Sequence, residues 1–251
     1  MTQSNDHPRL TRAPLVEAVF DLRYNTSASL ETIRAGIQKE LPEFKNEERL
    51  EGQTLTIQIG PDGKQIFETT DSDERQDVIR YRFRNPETNE FIQLGHGMIT
   101  INTVNYDGFD SFFAILKNII AKHNEVANPT TYRRLALRYV NHLPLEDTPE
   151  YVFSWLAQVP QTWGERVTIQ NLQQLVLRIG EDIQNVTIAY PQINLNTGKN
   201  IMILDIDHHL DFILPVLSNA NQVYDWLEKA HNQVYETFKN VLKPEYLEEI
   251  K

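Results

Sequence analysis

The chain has 251 residues, of which 40% are hydrophobic and 24% are charged, a composition typical of globular proteins rather than disordered or fibrous ones. A net charge of −11 repels nucleic acid at long range unless the surface carries a local basic patch. Cysteine is absent, which excludes disulfides, thiolate metal sites and cysteine nucleophiles. With no apolar signal segment at the N-terminus and no apolar run of the ~18 residues that span a bilayer, the sequence predicts a cytoplasmic protein.

The first half of the chain alternates strand and helix patterns. Apolar and polar residues alternate over 14–24, which predicts a strand with one buried face. Apolar residues at helical spacing predict a helix from Leu30 to Leu41. Four strands are predicted next, over residues 54–60, 65–70, 78–84 and 91–104, with Pro61-Asp62-Gly63 as a hairpin turn. Gly95-His96-Gly97 interrupts the last of them with either a bulge or a tight turn. An apolar stripe then predicts a helix from Phe109 to Lys122.

A similar order of patterns follows Asn128-Pro129. We predict a strand over 132–141, a helix from Pro149 to Val159, strands over 167–179, 183–190 and 201–210, and a long helix over 221–242 that Pro244 ends. Two short strings also recur at one common offset. Leu22-Arg23-Tyr24 returns as Leu137-Arg138-Tyr139, and Phe109-Asp110 returns as Tyr224-Asp225.

Together these patterns predict the fold class. We expect an α+β protein with two layers, in which helices cover one face of an antiparallel sheet. The repeated strings favour a saddle-like duplication of two similar β-α-β(3–4)-α halves. The first repeat would span residues 1–127 and the second residues 128–251, packed together as one globular unit.

Two of the predicted strands carry a resemblance to a known family. Residues 14–18 contain a Pro-Leu-x-Glu-Ala opening, and residues 138–141 contain an Arg-Tyr-x-Asn segment. In these motifs the chain resembles a sporadically distributed family of uncharacterised bacterial and archaeal proteins of about this length. The patchy distribution implies an accessory gene that moves between genomes, as defence and toxin–antitoxin genes do. The resemblance implies no catalytic mechanism.

Motifs of common enzymes are missing from the sequence. It contains no glycine-rich phosphate loop, no nucleophile elbow, no His-Glu-x-x-His motif and no calcium loop. Nucleotide-binding loops depend on glycine, and the chain has only 10 glycines. We therefore expect no cofactor and favour a function without catalysis.

Arginine side chains are predicted to line the polar face of two strands. Arg80, Arg82 and Arg84 alternate with apolar residues on one strand, and Arg134 and Arg138 do so on the strand over 132–141. One interpretation is a lattice of cross-strand ion pairs with nearby acids, each worth only ~0–1 kcal/mol. The other is a recognition surface for an acidic partner, a phosphate or a nucleic acid.

A second candidate site is the segment Asp205-Ile206-Asp207-His208-His209. On a strand, the side chains of Asp205, Asp207 and His209 point the same way, and two carboxylates with an imidazole can hold a divalent ion. The competing interpretation is an ordinary solvated strand face, because apolar residues occupy the other side.

These observations favour a non-enzymatic accessory protein that binds a macromolecule, with a protein as the preferred partner. Two alternatives stay open. One is a metal-dependent enzyme that uses Asp205, Asp207 and His209, and the other is nucleic-acid binding through the arginine-lined face. Nucleic acid is disfavoured by the net charge, no membrane partner is expected, and homo-oligomerisation is left open.

Overall fold

A computed structural model describes residues 14–52, 55–59, 65–69, 78–144, 149–154, 156, 162–163, 166–167, 171–194, 197–211 and 220–250. The strands are β1 (Leu15–Asn25), β2 (Lys45–Gly52), β3 (Leu55–Ile59), β4 (Gln65–Thr69), β5 (Val78–Asn85), β6 (Glu90–Gly95), β7 (Met98–Thr103), β8 (Thr131–Pro144), β9 (Thr162–Trp163), β10 (Arg166–Val167), β11 (Asn171–Ile179), β12 (Asp182–Ile193) and β13 (Asn200–Asp211). The helices are α1 (Leu30–Glu40), α2 (Phe109–Ala127), α3 (Pro149–Val152), α4 (Ala220–Val241) and α5 (Pro244–Ile250).

Nine strands form one antiparallel sheet in the order β11-β12-β13-β8-β1-β7-β6-β5-β2. The middle of the sheet is the pairing of β1 with β8, in which Phe20 lies opposite Leu137 and Leu22 opposite Leu135. Two small sheets stand apart from it, β3 with β4 and β9 with β10. The predicted boundary at residues 127 and 128 falls at the end of α2, and the sheet continues across it.

The predicted fold class is wrong. The molecule is dominated by a nine-stranded antiparallel sheet with few helices, rather than by a helix-covered two-layer duplication. The two parts of the chain also differ, because the first contributes five strands to the sheet and the second four.

The helix predicted from Pro149 to Val159 shows one physical reason why the protein has less helix than predicted. It ends at Val152, where the backbone turns to bind the end of α4. The Ser154 N–H donates to the Val241 carbonyl at 2.8 Å, and Phe153 forms a bridge with Leu242. These partners satisfy backbone groups that a longer helix would have used internally.

Several other elements differ from the predicted ones. The strand β2 was not predicted, because its charged sequence does not alternate. Of the two alternatives for the interruption within 91–104, the structure has the tight turn, which joins two strands and holds Gly97 at a φ of 64°. Pro244 begins α5 instead of only ending α4. The predicted turn at Pro61-Asp62-Gly63 lies outside the described residues.

The apolar face of the sheet and the helices form a single hydrophobic core. Alternate residues of β1, including Phe20 and Leu22, are fully buried, and so is Leu137 of β8. The helices α1, α2 and α4 add residues such as Ile33, Leu116, Leu227 and Val234 to the same cluster. The charged residues next to these strand residues, Asp21 of β1 and Arg138 of β8, consequently lie on the opposite face of the sheet.

None of the helices in the described ranges is long and apolar enough to cross a lipid bilayer.

Candidate functional site

The polar face of β1, β8, β13, β12 and β11 forms a pocket of about 330 Å³. Its walls combine arginines and aspartates with small and neutral polar side chains: Val19, Asp21, Arg23, Arg134, Ala136, Arg138, Gln174, Asn185, Thr187, Asp205 and Asp207. We call this cavity the polar pocket. It lies opposite the hydrophobic core, because residues one apart on β8 point to opposite faces of the sheet.

Arg138 forms the best-oriented ion pair of the pocket. Its Nε donates to Asp205 Oδ1 at 2.8 Å and its Nη2 donates to Asp205 Oδ2 at 2.6 Å, a two-point geometry. The hydrogen bond to Asp205 raises the pKa of Arg138, so its charge persists at any physiological pH. The Arg138 side chain is 47% exposed and Asp205 19%, which leaves the pair open to a partner.

Arg134 is surrounded by three aspartates. Its Nη1 donates to both carboxylate oxygens of Asp211, at 2.7 and 2.8 Å. Asp21 lies 3.8 Å from its Nε, and Asp207 lies 3.9 Å from its Nη2. The pairing of β8 with both β1 and β13 brings these acids from two different strands to one guanidinium.

Asp21 connects this cluster to the next strands. It accepts a hydrogen bond from Thr100 Oγ1 at 2.9 Å and one from Arg23 Nε at 3.2 Å. Thr100 lies on β7 and Arg23 on β1, so the charged network crosses four adjacent strands of the sheet. Such a network fixes the rotamers of long side chains before any partner arrives.

Neutral polar residues complete the pocket, and sequence reasoning missed them. Gln174, Asn185 and Thr187 come from β11 and β12 and line the same cavity as the arginines. Their alternation with apolar neighbours was the only available signal, and amides and hydroxyls are common on any solvated strand. Consecutive strands pair from β11 to β13, but their place beside the arginines depends on the pairing of β13 with β8, which the sequence does not encode locally.

The structure divides the five predicted arginines into two groups. Arg134 and Arg138 line the polar pocket, whereas Arg80, Arg82 and Arg84 lie on β5. Three strands separate β5 from β8, which puts the groups roughly 20 Å apart at the usual strand spacing.

On β5, two of the arginines contact an aromatic ring. The Arg82 guanidinium lies 4.3 Å from the centre of the Phe91 ring and that of Arg84 lies 5.7 Å from it. Arg84 also donates a hydrogen bond to Asn89. These are cation–π contacts of the kind that hold arginines flat on a sheet surface.

The predicted metal ligands do lie close together, but their neighbours are cations. Asp205 accepts a hydrogen bond from Arg138, and Asp207 lies near both Arg134 and His209. His209 is 7% exposed, with Nδ1 at 3.5 Å from Asp207. Among the described residues, no group of three or more His, Asp or Glu side chains has a geometry that could hold a metal ion.

Titratable groups also occur on the apolar face, where burial controls their protonation. Tyr139 contacts Tyr106 (oxygens 3.3 Å apart) and His231 (3.0 Å to Nδ1). Burial raises the pKa of Tyr106 to about 12 and also raises the pKa of Tyr139 well above its usual value. Both phenols are uncharged at neutral pH and pack in or against the hydrophobic core.

A second buried network joins β12 and β13 to α4. Asp182 binds His208 through Oδ2 at 3.1 Å and accepts from the Trp226 indole through Oδ1 at 3.3 Å. Gln184 contacts the other nitrogen of His208 at 3.4 Å and accepts from Thr237. Because each member contacts a neighbour, the network is a means of burying polar groups without leaving them unpaired.

The residues of the two short motifs have structural roles in this arrangement. Glu17 accepts a hydrogen bond from Asn102 Nδ2 at 2.8 Å, which links β1 to β7. Asn141 is buried and donates to the Leu204 carbonyl at 3.1 Å, which links β8 to β13. Along the same strand, Arg138 points into the polar pocket and Tyr139 into the core.

No protein-family model matches the chain, and a search of curated proteins found no match.

Proposed function

We propose that the protein is a non-enzymatic binding protein that recognises another protein through the polar pocket. The observation that carries this proposal is the ion-pair cluster at the middle of the sheet, in which Arg138 and Arg134 are held in place yet remain reachable from solvent. A surface whose charged groups are already oriented loses little side-chain entropy on binding, and so favours specific recognition.

The charge of the pocket favours protein over nucleic acid. Its walls carry three arginines and three aspartates, and Asp211 adds a further acid beside Arg134. Nucleic-acid binding depends on cations that are free to neutralise phosphates. Here the guanidinium groups of Arg134 and Arg138 are neutralised by carboxylates of the same chain, so the surface is neutral to acidic. A partner segment with basic side chains fits it best.

The resemblance to a sporadically distributed family supports a particular choice of partner. An accessory gene that moves between genomes usually travels with the gene of its partner, as in defence and toxin–antitoxin pairs. We therefore propose the product of the adjacent gene as the first partner to test. The product of that gene can be purified, so its binding to this protein can be measured quantitatively.

The test is to remove one complete ion pair from the pocket. In the double variant Arg138→Ala/Asp205→Ala both members of the pair are lost, so no unpaired charge remains. We expect the affinity for the adjacent gene's product, measured by isothermal titration calorimetry, to fall about 30-fold or more, the effect of an interface hot spot of about 2 kcal/mol.

A matched control removes an ion pair of another element. Lys239 and Glu236 lie on α4, with Lys239 Nζ at 2.6 Å from Glu236 Oε1. The variant Lys239→Ala/Glu236→Ala should keep the wild-type affinity. Equal affinities for all three proteins would contradict the proposal, provided that circular dichroism shows each of them folded.

Two further measurements address the alternatives. In a gel-shift titration, nucleic-acid binding would appear as a complex that weakens steeply with added salt, and we expect no such complex. Metal analysis of the purified protein tests the enzyme hypothesis. Stoichiometric metal that is lost on changing Asp207→Asn would replace the binding proposal with a metal site.

A further inference from the structure

The two outer edges of the nine-stranded sheet differ in their protection. An edge strand exposes unpaired backbone N–H and C=O groups, and proteins usually protect such edges with charges, bulges or proline. At one edge, β2 has five charged residues, Lys45, Glu47, Glu48, Arg49 and Glu51, and a register shift between Lys45 and Glu48. This edge therefore has the usual features that oppose pairing with another strand.

The opposite edge, β11, lacks these features. Its nine residues pair with β12 without a register shift, and they contain no proline and a single charge, Arg178. Within the described part of the chain no strand pairs with its outer side. Leu172 and Val176 are 66% and 62% exposed, among the most exposed large apolar side chains in the described residues. A long, regular and apolar edge of this kind is a template for another strand.

We propose that β11 pairs antiparallel with β11 of a second copy of this chain, about a twofold axis at Val176. Antiparallel pairing of two identical strands is self-complementary, the usual property of twofold interfaces. In this register Val176 lies opposite the partner's Val176 on one face, and Leu175 lies opposite the partner's Leu177 on the other. Gln174 lies opposite the partner's Arg178, an amide that can accept from a guanidinium.

The charge of β11 also favours a second copy. Arg178 is the only charge on the strand, and in this register it lies opposite a neutral side chain, so no like charges face each other. The whole chain has a net charge of −11, which opposes association at long range. Because salt screens this repulsion while strand pairing persists, we expect the dimer to tighten as salt is added.

The first test measures the oligomeric state of the full chain by sedimentation velocity from about 1 to about 200 µM, because one nine-residue strand pairing with its copy forms a small interface and small interfaces associate weakly. We expect a concentration-dependent dimer that the variant Val176→Lys weakens at least about 30-fold, since it puts two lysines opposite each other. The matched control is Leu50→Lys, which changes an exposed leucine on the other edge. A wild-type monomer at every concentration, or equal effects of the two variants, would overturn the proposal.

The second test examines the register. The chain has no cysteine, so Val176→Cys introduces a single thiol, and two such thiols meet at the twofold axis. Leu172→Cys lies on the same strand and face with similar exposure, but in the dimer its two copies would be about 27 Å apart. Under mild oxidation we expect a disulfide dimer for Val176→Cys and none for Leu172→Cys. Equal cross-linking at both positions, or none at either, would exclude this register.

Discussion

The two faces of β8 show how one strand serves two purposes. Leu137 is fully buried against the core, whereas the side chain of the next residue, Arg138, is 47% exposed above Asp205. Burying a leucine is worth about 1.5–3 kcal/mol, while a partly exposed ion pair contributes about 0–1 kcal/mol. The apolar face therefore holds the molecule together, and the charged face can vary for recognition with little effect on stability.

The largest expected effect tests the apolar face. Trp226 of α4 is 7% exposed, and its indole N–H donates to Asp182. We expect Trp226→Ala to lower the free energy of unfolding by ~3–5 kcal/mol, measured by chemical denaturation, because the change leaves a large cavity. The exposed Leu172→Ala is the control and should change it by less than ~0.5 kcal/mol. A loss below ~1 kcal/mol for Trp226→Ala would show that α4 does not pack as described.

The second prediction concerns β8 itself. Leu137 is fully buried between β1 and β13, so Leu137→Ala should lower the free energy of unfolding by ~2–5 kcal/mol. The isosteric change Leu137→Met is the matched control, with an expected cost below ~1.5 kcal/mol. Similar costs for Ala and Met, measured in the same denaturation series, would contradict tight packing at this position.

A third prediction uses pH to examine the same face. Burial lowers the pKa of His123 from 6.5 to about 4, with its ring packed edge-on against Tyr24. Between these pH values the unfolded chain binds a proton that the folded protein does not, so stability is lost as the pH falls. At neutral pH both states are neutral and the effect vanishes.

The measurement compares wild type with His123→Leu. Between pH 7 and pH 4.5 the wild type should lose about 2–3 kcal/mol more of its unfolding free energy than the variant, which has no imidazole to protonate. Chemical denaturation at the two pH values gives this difference directly. Identical pH dependences of the two proteins would show that His123 is protonated as readily in the folded state.

The smallest expected effect belongs to the charged face. The double variant Arg138→Ala/Asp205→Ala removes a whole ion pair, and we expect it to change the free energy of unfolding by less than ~1 kcal/mol. Thermal unfolding at low and high salt measures this, and the small difference should shrink as salt screens the pair. A loss above ~2 kcal/mol would mean that the charged face supports the fold, and would weaken the contrast between the two faces.

Much of the local structure could be predicted, because it depends on neighbours in sequence. Alternation in β8 correctly separated Leu135, Leu137 and Tyr139 from Arg134 and Arg138. Helical spacing located α4 to within about a residue at each end. In contrast, β2 was not predicted and α3 was predicted to be longer than it is. Charged edge strands and interrupted helices depend on partners that are distant in sequence.

The candidate site was only half predictable for the same reason. The sequence identified Arg134, Arg138, Asp205 and Asp207 as residues on polar strand faces, but it gave no basis for separating them from the arginines of β5. It also gave no sign that Gln174 of β11 would reach the same cavity. A charged side chain on a strand marks a residue as a candidate. Which candidates lie close together depends on which strands pair.

By itself the sequence determined which side chains share a face, because alternation along a strand is a local geometric rule. It also determined the acidic charge and the absence of thiol chemistry. Only the tertiary structure decided that β8 lies between β1 and β13, which brings Asp21, Asp205 and Asp211 to the two arginines. Strand order depends on burial summed over the whole chain, and no short segment contains that information.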